Sequence, residues 1–182
     1  MITKLSHTSF FVLDQEKAYD FYVNKLGFNV HTDVKMDNGF RWLTVTAPDQ
    51  PELEIVLFPA KDNGFDEETN KALKLLLEKG AMGAGAMYTP DCRATYEELK
   101  AKGVTFKSEP KEQFYGIEAI ITDGCGNWFS MTQPKEGFWR HKEQGTRHKV
   151  QGTRKIQEPR NKIQADSYRD KNSVWMPARL NI

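Results

Sequence analysis

One pattern occurs twice in this chain and restricts its fold more than any other feature. An aspartate caps a helix, a glycine ends it, and a strand leaves from the glycine. Asp14 precedes Ala18, Phe21, Tyr22 and Leu26 at helical spacing, and Gly27 stops the run. Asp91 precedes CRATYEELKAKG, which stops at Gly103. The strand that follows is led by GFNV in the first case and by GVTF in the second.

The flanking segments repeat as well. Leu5–Leu13 reads as a strand, Phe28–Met36 as another, and Asp37-Asn38-Gly39 supplies hairpin turn chemistry into Phe40–Ala47. Pro48 to Pro51 is expected to break the chain before a fourth strand at Leu53–Phe58. Residues 66–79 predict an amphipathic linking helix with acidic residues in its first turn. Gly80, Gly83 and Gly85 predict a flexible entry into a strand at Ala86–Thr89, and after the second helix come strands at Val104–Phe106, Gly116–Thr122 and Asn127–Gln133. Both halves therefore read β-α-β-β-β, and matching order across five elements favours internal duplication. The expected fold is α+β, with two βαβββ modules (about 1–60 and 80–134) around a cleft.

Charge divides the chain at the same boundary. The net charge of +1 over 182 residues conceals a core of 14 basic and 20 acidic residues in 1–134 and a segment of 12 basic and 5 acidic ones in 135–182. The acidic core gives nucleic acid no electrostatic footing; such contact is left to the tail alone. That tail repeats itself, EQGTRHK before VQGTRKI, and is too polar to offset its ordering entropy. It is read as a low-complexity extension, disordered or docked through Trp139, Trp175 and Met176.

Two unpaired cysteines, Cys92 and Cys125, argue for a reducing compartment and against a disulfide scaffold. Cys92 sits in the first turn of a helix, where a thiol can be acidified, or it is simply a small residue near a cap. No signal-peptide-like run or membrane span is evident, so a soluble cytoplasmic protein is expected. No Gly-x-Ser-x-Gly occurs, and GAMGAG follows a helix and not a strand, so neither a nucleophile elbow nor a dinucleotide fingerprint is read.

The pieces KLSHTSFFVLD, KAYDFYVNKLGFNV and ELEIVLFP resemble the first half of a vicinal-oxygen-chelate protein. DCRATYEELKAKGVTF and YGIEAIITDGCGNWFSMTQP resemble the second. That superfamily contains glyoxalases, extradiol dioxygenases and fosfomycin- and bleomycin-resistance proteins. The resemblance covers residues 3–134 and implies a small-molecule ligand in a concave cleft and a homodimer. Its metal-dependent members carry ligands on four strands, which suit one divalent ion acting as a Lewis acid.

Carried over, the first ligand position falls on His7 and the second on Glu54. The third falls near Gly85 and the fourth on Ser130, neither of which is a metal ligand of that pattern. Glu118, on the seventh strand, is the remaining acid that can join His7 and Glu54. By strand parity Phe11, Trp42, Thr44, Val56, Phe58, Trp128, Ser130 and Thr132 line the cleft, with Phe114 and Tyr115 at its lip. Two functions stay open. One is a glyoxalase-like lyase or dioxygenase-related metalloenzyme; the other is metal-free sequestration of an organic molecule, as in bleomycin-resistance proteins.

Overall fold

A computed structural model describes residues 1–61 and 63–137. The basic tail beyond 137, with its aromatic residues, lies outside the described residues.

Each module is a four-stranded mixed sheet. The first contains β1 (His7–Val12), β2 (Asn29–Lys35), β3 (Arg41–Ala47) and β4 (Gln50–Pro59), in the order β1-β4-β3-β2. The second contains β5 (Met82–Tyr88), β6 (Thr105–Gln113), β7 (Gly116–Thr122) and β8 (Asn127–Pro134), in the order β5-β8-β7-β6. In both, the first strand pairs parallel with the fourth and the others pair antiparallel. Equivalent strands thus occupy equivalent places, as expected of a duplicated βαβββ unit. No helix among the described residues is long and apolar enough to cross a membrane.

The helices start where their caps predict. Asp14 accepts from the amides of Glu16 and Lys17 ahead of α1 (Gln15–Tyr19). Asp66 accepts from Thr69 N ahead of α2 (Glu67–Glu78), and Asp91 from Arg93 N and Ala94 N ahead of α3 (Cys92–Ala101). Gly27 and Gly103 take φ of 77° and 75°, the left-handed conformation that ends a helix at little cost only for glycine.

Four local expectations are corrected. The first helix is α-helical only to Tyr19 and continues as a π-helix over Asp20–Lys25, with Leu26 N bonded to Phe21 O. The wider turn goes with burial of both Phe21 and Tyr22, neighbours that a regular α-helix splays 100° apart. Pro51 does not end a loop. Ala47 pairs with Gln50, so the turn is only Pro48-Asp49 and the proline lies at the start of β4. The glycine-rich segment is strand, with a bulge between Gly83 and Gly85. A Cβ on Gly83 would lie 2.7 Å from the Trp128 ring, so glycine here admits a close packing partner. Finally, β6 runs to Gln113 despite Pro110, because an edge strand tolerates a missing donor.

One core lies under the helix-bearing faces of both sheets. Val12, Leu43, Val45, Ile55 and Leu57 from the first module cluster with Tyr96, Leu99, Ile121, Phe129 and Met131 from the second. Phe10 and Tyr22 reach across to Phe129 at ring distances of 5.2 and 6.2 Å.

Polar contacts close the same seam. Asp123, only 3% exposed, accepts from Cys125 N (2.7 Å), Asn127 N (2.9 Å), Asn127 Nδ2 (2.7 Å) and Tyr22 Oη (3.2 Å). Asn127 Nδ2 also donates to Phe11 O at 2.8 Å on β1. The Asp-Gly-Cys-Gly-Asn turn is therefore an inter-module clasp. Asp123→Ala strands several buried donors and is expected to cost about 3 kcal/mol in urea unfolding, against about 1 kcal/mol for Tyr22→Phe.

Candidate functional site

Glu54 and His7 are direct partners across the parallel β1–β4 pair. His7 Nε2 lies 3.3 Å from Glu54 Oε1, and Thr44 Oγ1 donates to Glu54 Oε2 at 2.9 Å. A third side chain joins them: His31 Nδ1 stands 3.0 Å from Glu54 Oε2. Each imidazole also has a neighbouring hydroxyl at its Nδ1, Ser6 Oγ at 3.0 Å for His7 and Thr32 Oγ1 at 3.1 Å for His31. Glu54 is mostly covered (side chain 18% exposed), whereas His7 and His31 are half-open at 45% and 52%.

His31 is the residue missed by reading the sequence. It sits in a β-bulge, because the β2–β3 register shifts between Val30 and Thr32. Simple alternation therefore cannot say which face it occupies. The one available signal was that His7 and His31 are the only histidines before residue 140.

Beside this polar set runs an unbroken line of rings. His7 stands 6.5 Å from Trp42, Trp42 6.4 Å from Phe40, and Phe40 5.5 Å from Phe58. Phe58 lies 5.6 Å from Phe11, and both approach Phe65, at 6.4 and 6.1 Å. These rings are partly exposed, Phe65 to 38%. The sequence-expected Phe11, Trp42 and Phe58 thus meet on one face, joined by Phe40 and Phe65. Thr44 and Val56 are buried beneath and form its floor, with Thr44 orienting Glu54.

The remaining expected residues belong to the second sheet. Ser130 Oγ donates to Glu118 Oε1 at 2.5 Å and lies 2.7 Å from Thr132 Oγ1. Burial and the adjacent Glu118 carboxylate, which takes its hydroxyl proton in a hydrogen bond, raise Tyr115 above the ordinary phenol range. Trp128 packs on Gly83 with Lys107 Nζ 5.9 Å from its ring centre, and Lys107 is tied to Gly80 O at 2.6 Å. Phe114 is 78% exposed in the β6–β7 turn, with its ring 5.0 Å from that of Tyr115.

The two modules share a further correspondence. Thr44 pairs with Val56 and bonds to Glu54, two residues earlier on β4. Glu118 pairs with Thr132 and bonds to Ser130, two residues earlier on β8. The same diagonal hydrogen bond recurs with the carboxylate and the hydroxyl exchanged between strands. This exchange explains why the second module offers Ser130 at the position equivalent to Glu54, and why its acid is Glu118.

A metal would need donors that converge. His7 and His31 approach opposite oxygens of Glu54, and Glu118 is engaged on the other sheet by Ser130. Among the described residues no three His, Cys, Asp or Glu side chains are grouped to hold an ion. The donor set therefore does not fit a metal centre built from His7, Glu54 and Glu118.

Neither cysteine is acidified. Burial raises the Cys92 thiol, and burial with the nearby Asp123 raises Cys125 to about 12. The fold favours the neutral Cys125 thiol, so its contribution is full below the free-thiol range, about 8.5, and is lost as pH rises through about 12. Unfolding free energy should fall over that alkaline interval, and less steeply in Cys125→Ala. Native protein at about pH 8 should leave both thiols unlabelled by Ellman's reagent, with labelling only after guanidinium unfolding.

With this geometry in view, the comparisons agree. The family model for the Glyoxalase/Bleomycin resistance protein/Dioxygenase superfamily matches residues 4–131. YurT of Bacillus subtilis (strain 168) is 37% identical over 131 residues, covering 71% of this chain and 98% of that protein. The crystal structure of UcmS2 is 44% identical with a TM-score of 0.69, covering 73% of this chain and 99% of that one. TnmS3, described as an antibiotic binding protein from Streptomyces sp. CB03234, is 30% identical with a TM-score of 0.57, covering 74% and 98%. The chain belongs to the glyoxalase/bleomycin resistance protein/dioxygenase superfamily.

Proposed function

We propose that this protein binds and sequesters a small, largely apolar aromatic molecule on the ring-lined face of the first sheet, without chemistry and without a metal. The observation that carries this reading is the continuous, partly exposed line Trp42–Phe40–Phe58–Phe11–Phe65. Stacked and edge-on contacts to such rings favour planar ligands, each aromatic pair contributing about 0.5–1.5 kcal/mol beyond burial. The His7–Glu54–His31 group at one end supplies polar orientation. That TnmS3 is an antibiotic binding protein supports the same class of function.

A metal-assisted lyase is the second reading, favoured by the direct His7–Glu54 pair at the two matching family positions. The donor geometry weighs against it. The proposal also includes a cytoplasmic homodimer, supported by the family resemblance and by two unpaired, buried cysteines. Light scattering at about 10 μM tests the dimer.

The aromatic face is tested with a neutral planar probe, 2-methoxynaphthalene, followed by tryptophan and naphthalene fluorescence. Trp42→Ala and Phe58→Ala should each weaken binding about five- to tenfold. Binding unchanged in both variants would remove the aromatic face from the function. In parallel, Ni²⁺, Zn²⁺ and Mn²⁺ are titrated into wild type and His7→Ala. His7-dependent uptake would favour the enzyme reading, and its absence the sequestration reading.

A further inference from the structure

We propose that Phe65 is a specificity-determining end wall of the aromatic face, limiting it to two-ring planar ligands, and that Asn63 and Asn70 are the positioning residues that hold it there. The inference rests on the reading of that face as the binding site and names the size of ligand it admits.

The rings of the first sheet form a row across its strands. Phe11 and Phe58 are register partners on β1 and β4. On β3 Thr44 pairs with Val56, so two residues further along each strand Trp42 stands beside Phe58. Trp42 pairs in turn with Val34 on β2. The row Phe11–Phe58–Trp42–Val34 therefore crosses all four strands, about 14 Å at the usual strand spacing. Its two ends differ. At β2 it runs out on an edge strand, where Val34 is 53% exposed. At the β1 end a ring from outside the sheet meets it. Phe65, between β4 and α2, lies 6.1 Å from Phe11 and 6.4 Å from Phe58.

No strand alternation places Phe65. Two asparagines do. Asn63, only 6% exposed, accepts from Phe65 N through Oδ1 at 3.0 Å and donates from Nδ2 to Pro59 O at 3.1 Å. Asn70, in α2, donates from Nδ2 to Phe65 O at 3.2 Å. The partners are backbone N–H and C=O groups, whose roles are fixed, so the orientation of both side-chain amides follows. Gly64, between Asn63 and Phe65, takes φ of 86°, a left-handed turn suited to glycine.

Asn70 makes this contact at a cost to stability. Its Oδ1 is buried and has no hydrogen-bond partner. A buried acceptor left unpaired is destabilising, and asparagine is a poorer helix former than alanine. The residue is accounted for by the wall that it fixes.

A two-ring ligand over Phe58 and Trp42 has rings beneath it throughout. A third ring meets Phe65 on the β1 side or overhangs the edge strand on the β2 side. Its added apolar surface stays in water and contributes no affinity. Without the Phe65 ring the floor extends over Phe11.

The test compares 2-methoxynaphthalene with the linear three-ring 2-methoxyanthracene, by tryptophan fluorescence on the full chain, with thermal melting alongside. Wild type should gain nothing from the third ring. Phe65→Ala should bind the three-ring probe about five- to tenfold more tightly than the two-ring one, the value of ring contact with the uncovered Phe11. Asn70→Ala should shift the ratio the same way while melting no lower than wild type, because it removes the unpaired oxygen and places alanine in a helix. A clear gain from the third ring in wild type, or an unchanged ratio in Phe65→Ala, would overturn the wall while leaving the aromatic site standing. Equal losses of both probes in Phe65→Ala would make Phe65 a contact surface and overturn it as a length limit. A wild-type ratio in Asn70→Ala would overturn the positioning role. Failure of both probes to bind wild type would overturn the aromatic-site reading and this inference with it.

Discussion

The arrangement depends on one buried carboxylate. Asp123 gathers two amides of its own turn, the Asn127 side chain and the Tyr22 hydroxyl, and so ties the first helix of one module to the last strand of the other. Burying such a group is costly unless it is fully bonded, and here its donors converge. Asn127 extends the tie to Phe11 O on β1, directly behind the aromatic face. The aromatic face and the clasp therefore share a strand. Burial and Asp123 together hold the Tyr22 phenol neutral, well above its ordinary range, as a structural donor requires.

Duplication explains the scaffold and also its asymmetry. Both modules keep the Asp cap, the glycine stop and the diagonal hydroxyl–carboxylate bond. They differ in what stands beside that bond. In the first module two imidazoles meet Glu54 next to a run of rings. In the second, Glu118 faces Ser130, Thr132 and Tyr115, and Trp128 is committed to Gly83 and Lys107. The first sheet thus presents a partly exposed aromatic face with a polar group at one end, and the second a hydrogen-bonded hydroxyl–carboxylate cluster.

Local electrostatics support the strands that frame the site. Arg41, at the start of β3, forks onto Asp33 on β2 at 2.7 and 2.8 Å and also reaches Glu16 on α1. The hydrogen-bonded guanidinium keeps the Asp33 carboxyl below its usual range. Gln15 adds bonds to Arg41 O and Leu57 O. The Arg41–Asp33 fork ties β2 to β3, whose ladder is interrupted at the bulge that carries His31, and Gln15 ties α1 to β3 and β4.

Much of this was legible in the chain. Caps, glycine stops and alternation are local codes, so the two βαβββ modules and the linking helix follow from residue order, while His7 and Glu54 as partners were implied by the family resemblance. The faces of Phe11, Trp42 and Phe58 follow from the two-residue period of a strand. What sequence could not determine was every feature requiring a register shift or a distant partner. The π-turn answers to a core that accepts both Phe21 and Tyr22, and the strand through Gly83 and Gly85 answers to the Trp128 ring that rests on it. His31 meets Glu54, a carboxylate 23 positions away, from within a bulge. Residue order determined which side chains each strand could offer; only packing in three dimensions decided which of them meet, because bulges reset the alternation and burial selects the partners.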